Sequence, residues 1–117
     1  MLFRSWIVLA VGAPAEQAVY EGTWSTTNRR LDGTMTCAVT PLPHEQWEAR
    51  FVRVWQGAEF DYTVQFNGPA SDLRGSAVID GASYEWRGAI SENRFAAHFT
   101  GDRYVGSFDL SRRKPGR

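Results

Sequence analysis

Trp47-Glu48-Ala49-Arg50-Phe51-Val52-Arg53-Val54-Trp55, then Gln56-Gly57, then Ala58-Glu59-Phe60-Asp61-Tyr62-Thr63-Val64-Gln65-Phe66, is the stretch that decides the fold. On both sides of Gln56-Gly57 the large side chains stand at every second position and polar residues fill most of the places between. A period of two is the side-chain period of a β-strand, because successive Cβ atoms leave the pleat on opposite faces. A glycine-containing spacer of two residues supplies positive φ and returns the chain as a hairpin. The segment therefore reads as two antiparallel strands, 47–55 and 58–66, with one greasy face and one polar face.

The same pattern runs outward in both directions. Strands are expected at Tyr20–Thr26, Leu31–Thr40, Leu73–Asp80, Ser83–Ile90, Arg94–Thr100 and Arg103–Leu110. Their connections carry Asn28, Pro41 and Pro43, Asn67-Gly68-Pro69, Asp80-Gly81, Ser91-Glu92-Asn93 and Gly101-Asp102, residues whose backbone preferences turn the chain. No helical stripe appears in any window. Short connections favour hairpin after hairpin. The fold class is thus all-β: an eight-stranded antiparallel meander, closed as a small up-and-down barrel or folded as a sandwich. Either arrangement hides an aromatic face that one open sheet would leave wet.

Met35, Cys37, Phe51, Tyr62, Phe66, Leu73, Trp86, Phe95, Phe108 and Leu110 share the inward phase; Glu48, Arg50, Glu59, Asp61, Arg74, Glu85, Arg87, His98 and Asp109 share the outward one. Gly33, Gly75, Gly88 and Gly106 also fall in the inward phase. A glycine there seats a bulky neighbour or opens space for a ligand, and the pattern favours the first. Val52, Val54 and Val78 are out of phase with the core and are candidates for an exposed apolar patch.

The chain has 117 residues, 14% of them aromatic and five of them Trp, which suits one domain with a large-side-chain core and excludes disorder. Residues 1–18 read as a signal peptide or an N-terminal extension: Arg4, a short apolar run, then Ala13-Pro14-Ala15 and Ala18. The run is too short to span a bilayer. Residues 19–111 form the barrel domain and 112–117 a basic, disordered tail. Between 19 and 110, twelve acids face eight arginines, so the body is acidic and nucleic acid is not expected as a partner. Export to a secreted or periplasmic location follows if the N-terminal segment is a leader; otherwise the location is cytoplasmic.

Gly22-Thr23-Trp24 in the first strand, followed by a meander of eight, resembles the calycin group of lipocalins, fatty-acid-binding proteins and avidins. The resemblance implies that Trp24 closes one end of a barrel and that a basic residue after the last strand, here Arg112, packs across it. Tyr20-Glu21-Gly22-Thr23-Trp24 also resembles the opening of a MORN repeat, but its spacing does not recur.

Chemistry-bearing patterns are few. Cys37 stands alone, so no internal disulfide forms, and its strand phase reads as a buried, inert thiol. His44 and His98 share no metal-ligand spacing, and no cofactor motif is present. Glu59 and Asp61 point the same way and read as a solvated pair with Arg50 across the hairpin rather than an acid–base dyad. Arg53 lies in the inward phase. It either binds a ligand carboxylate or stacks on Trp55 and reaches water at the strand end. Arg53, Trp55, Tyr62, Tyr84, Trp86 and Tyr104 are the candidate ligand-binding residues, and Gly22, Trp24 and Arg112 the candidate end closure.

The leading functional expectation is a small, exported, non-enzymatic module that binds a small apolar or aromatic ligand in an interior of roughly 300 Å³ or more. The alternative is a structural or protein-interaction domain of the cell envelope with a filled core and no ligand. A barrel enzyme would need Arg53, Tyr62 and Glu59 or Asp61 in one concavity, which strand period opposes.

Overall fold

The computed structural model describes residues 17–113. Within them lie eight strands: β1 (Ala18–Thr26), β2 (Asp32–Leu42), β3 (Gln46–Trp55), β4 (Ala58–Asn67), β5 (Leu73–Ile79), β6 (Ala82–Ile90), β7 (Arg94–Gly101) and β8 (Val105–Arg112). Each pairs antiparallel with the next, and β1 pairs with β8, so the meander closes into an up-and-down barrel and not a sandwich. Closure leaves no terminal strand with an unpaired edge.

The turns follow from their residues. Gln56-Gly57 and Asp80-Gly81 each have positive φ at both positions, 50° and 80° in the first and 52° and 78° in the second. That is the backbone of the tight hairpin whose twist matches the flanking strands. β2 continues through Pro41, which faces Trp47 across the ladder, so this strand is longer than its proline suggested.

The expected leader lies outside the described residues except for its last two positions; Ala18 is already in β1, opposite Val39. The expected tail is corrected at its start. Arg112 is the last residue of β8 and its backbone N–H donates to the Asn93 carbonyl. The Arg113 N–H donates to the Val19 carbonyl and its guanidinium pairs with Glu21 at 2.9 Å. Residues 114–117 lie outside the described residues.

The inward phase is the core. Phe51, Phe66, Leu73, Val64, Phe95, Leu110 and Cys37 are its largest fully buried side chains. Phe51 stands at its centre, with ring centroids 5.3 Å from Tyr62, 5.3 Å from Phe108, 6.3 Å from Phe95 and 6.5 Å from Phe66. Phe95 meets Phe108 edge-on at 5.0 Å and Phe66 at 5.9 Å. Edge-to-face and offset contacts let rings fill a narrow cylinder without voids.

One seam differs from the others. β4 and β5 pair only at Phe66–Gly75 and Asn67–Arg74, whereas β5 and β6 pair from Leu73–Gly88 to Ile79–Ala82. Toward the β5–β6 hairpin the two strands part, and the β4-facing backbone groups of Ser76–Ile79 make no ladder bonds to it.

Phe51→Ala removes the ring that touches four others, and a loss of ~3–5 kcal/mol is expected, read from denaturant unfolding with an unchanged slope. A loss under ~1 kcal/mol would contradict the central position assigned to Phe51.

Candidate functional site

The two ends of the barrel are built differently. At one end the 68–72 connection folds across the opening: the Ile90 N–H donates to the Ala70 carbonyl at 2.8 Å and the Trp47 indole N–H to the Gly68 carbonyl at 2.9 Å. The Tyr20 hydroxyl donates to the Ser91 carbonyl at 2.9 Å on the same side. With Ala70 against the core beneath it, this end is shut.

At the other end, where the β1–β2, β3–β4, β5–β6 and β7–β8 connections meet, the interior is not filled. A cavity of about 140 Å³ remains. The candidate residues Arg53, Trp55, Tyr62, Tyr84, Trp86 and Tyr104 all line it. Trp24, Thr26, Met35, Phe60 and Phe99 complete its walls, with Leu31, Ile79, Asp80 and Arg103 toward the rim. The volume is well below the roughly 300 Å³ expected of a cavity for a drug-sized ligand. It is close to the ~150 Å³ at which an apolar cavity admits benzene.

Trp24 fixes the floor. It is 2% exposed, and its indole N–H points at two carbonyls, Thr34 at 3.1 Å and Val54 at 3.3 Å, which ties β1 to β2 and β3. The ring lies over Gly33, where a Cβ would come within 2.9 Å of the indole nitrogen, so the flat placement requires the glycine. Gly75 seats Phe66 and Gly106 seats Phe99 in the same way, whereas Gly88 abuts Ala97 and seats no aromatic. Gly101, outside the expected set, seats the Tyr84 ring.

Arg53 stacks on this floor. Its guanidinium carbon is 4.8 Å from the Trp24 ring centroid, 5.3 Å from Phe60 and 6.0 Å from Tyr62. The stacking partner is thus Trp24 and not the neighbouring Trp55. The Arg53 Nε is buried with no hydrogen-bond partner. None of the ion pairs among the described residues includes Arg53.

Arg112 does not pack across Trp24. The register sets Phe108 opposite Trp24 and Arg112 opposite Tyr20, four positions back along β1 at the shut end. Arg53 occupies the place that the resemblance implied for Arg112. Gly22 lies between Met35 of β2 and Leu110 of β8.

The rim is clasped by Asn28. Its side-chain amide donates to the Arg103 carbonyl at 2.9 Å, and its side-chain oxygen accepts from the Val105 N–H at 3.0 Å. This pins the β1–β2 connection to the β7–β8 connection and holds Tyr104 at the mouth, where Arg29 lies 5.7 Å over its ring. Because it is a contact between two loops, strand phase could not reveal it.

The remaining candidates stand elsewhere. Asp61 pairs with Arg50 through two hydrogen bonds, 3.2 and 2.6 Å, on the outer face, and that guanidinium lowers the Asp61 carboxyl below its ordinary range. Glu59 is exposed opposite Val54, so neither carboxylate meets Tyr62. His44 and His98 are exposed. Cys37 is 0% exposed and burial pushes its thiol up, which keeps it unreactive. Val52 and Val54 are half-buried, leaving Val78, 69% exposed, without them as an apolar patch. Outside the β4–β5 parting, Gln65, Arg74, Glu85, Arg87 and His98 line a shallow polar groove.

Burial pushes the Tyr62 phenol up to about 12, with Arg53 pulling the other way and burial prevailing. The folded barrel therefore holds this proton more tightly than the unfolded chain does. Its stabilising contribution is complete below the ordinary tyrosine value and is lost as pH rises from about 10 to about 12. Tyr62→Phe is expected to flatten the alkaline fall of stability in that window, measured by denaturation at stepped pH; an unchanged slope would contradict the assignment.

No family model matches the chain, and no curated protein matches it. Solved structures do. A de novo designed fluorescence-activating β-barrel superposes with a TM-score of 0.65 at 16% identity, over 87% of this chain and 96% of that one. A point mutant of the fluorescent protein UnaG superposes with a TM-score of 0.45 at 8% identity, over 84% and 94%. Together with the closed eight-strand meander, the likeness to the designed barrel shows a small up-and-down β-barrel fold.

Proposed function

We propose that the protein is a binding module for one small apolar or aromatic ring, held in the open half of the barrel. The observation that carries this reading is the cavity of about 140 Å³ walled by flat aromatic side chains beside a packed and shut half. Burial of one ring against Trp24, Trp86 and Phe99 removes apolar surface from water at roughly 25 cal/mol per Å² and adds offset or edge contacts between rings. The designed barrel of similar shape is described as fluorescence-activating. Binding without catalysis fits the carboxylates: Glu59 and Asp61 are on the face away from the cavity that Tyr62 lines.

Titration with benzene, followed by amide NMR, is expected to shift Met35, Trp86 and Phe99 saturably and to raise the melting temperature with ligand concentration. Ile79→Trp fills the mouth and is expected to abolish both effects. Absence of saturable shifts at millimolar benzene would overturn the reading.

The reading extends to export, supported by Arg4, the apolar run and Ala13-Pro14-Ala15. N-terminal sequencing of the mature protein is expected to start between Ala15 and Ala18. A mature chain that begins at Met1 would refute export.

A further inference from the structure

Arg53 is the one charged group of the cavity's inner wall among the described residues, and none of their hydrogen bonds or ion pairs gives it a partner. A guanidinium carries five N–H donors in a rigid fork. Here one of them, on the buried Nε, makes no hydrogen bond, and none of the ion pairs among the described residues includes this side chain. Three aromatic faces, Trp24, Phe60 and Tyr62, surround it at 4.8–6.0 Å. Attraction to those faces offsets part of the cost of taking the charge out of water, but it satisfies no donor. Among the described residues the cavity wall offers no carboxylate at that depth: Asp80 lines the rim and is exposed.

We propose that the ligand of this cavity is a single-ring aromatic carboxylate, its ring against Trp86 and Phe99 and its carboxylate on the Arg53 fork. The inference rests on the reading of the cavity as a ring-binding site and names the chemistry of what enters. Three observations carry it together. The volume admits one ring and not a chain of them. The guanidinium side chain lines that volume, and its buried Nε is without a hydrogen-bond partner. Trp24, held by the Thr34 and Val54 carbonyls, keeps the cation in place before any ligand arrives. A prepositioned fork loses little freedom on binding, and a planar carboxylate matches it with two parallel hydrogen bonds. The Tyr62 hydroxyl, on the same wall and protonated at neutral pH, is a further donor for the anion.

Benzoate and benzamide separate charge from shape, because they are nearly isosteric and only the first is an anion. Calorimetric titration of the full chain at pH 7 is expected to show benzoate binding about tenfold or more tighter than benzamide. Arg53→Met keeps an unbranched stem against Trp24 and removes the fork. In that variant the preference for benzoate over benzamide is expected to vanish. Benzamide binding without a benzoate preference in the wild-type chain would overturn this inference and leave the ring-binding reading standing. A preference that survives in a folded Arg53→Met variant would also overturn it. Failure of benzoate, benzamide and benzene alike would overturn both. The wild-type comparison decides between these outcomes even if Arg53→Met does not fold.

Discussion

A closed ring of eight strands has a fixed radius, and the inward side chains of all eight strands must fill one cylinder between them. That constraint orders the rest of the structure. In the shut half, Phe51, Phe66, Phe95 and Phe108 meet at angles and use the whole cross-section. In the open half the aromatic residues are larger but lie along the wall. Trp24 is flattened over Gly33 and Tyr84 over Gly101, so their bulk is spent against the strands and not across the axis. The cavity is the space that this difference in orientation leaves.

The charge in the open half depends on the same placement. Arg53 is on the inner face by strand period, near enough to the β3–β4 hairpin that its head reaches the cavity. Stacking on Trp24 holds it there. Trp24 is held in turn by carbonyls of two neighbouring strands, so the cation inherits the rigidity of the sheet. Burial raises the nearby Tyr62 phenol, so a neutral hydroxyl and not a phenolate stands beside the guanidinium. The polar character of the inner wall is therefore that of one cation and of hydroxyls, which both donate and accept.

Much of this was legible in the residues. Alternation about Gln56-Gly57 set the phase of Phe51, Arg53, Tyr62 and Phe66, and the same rule brought Tyr84, Trp86 and Tyr104 to their side of the sheet. What the period cannot carry is position along the barrel axis. The resemblance put Arg112 on Trp24, and only the β1–β8 register shows the two to lie four positions apart. Trp47, inward like Trp55, sits at the shut end for the same reason. The parting of β4 from β5 was also hidden, because Ser76-Ala77-Val78-Ile79 alternates like any paired strand. The cavity volume depends on ring orientation, which alternation does not encode.

The isolation of Arg53 is a consequence of where it stands and not of a shortage of carboxylates. Acids outnumber arginines on the body of the chain, and on the outer face Arg50 finds Asp61, Arg94 finds Asp109 and Arg113 finds Glu21, two of these pairs at 2.6 Å. Those pairs are exposed and individually worth little. The inner wall reverses the balance: the cation there is half-buried, so a partner would matter more, and every neighbour that strand phase permits is aromatic or aliphatic. A methionine or leucine at position 53 would pack the same wall without desolvating a charge. A cation beside the cavity, with the surrounding rings turned flat, is what the proposed carboxylate would meet on entering the open half.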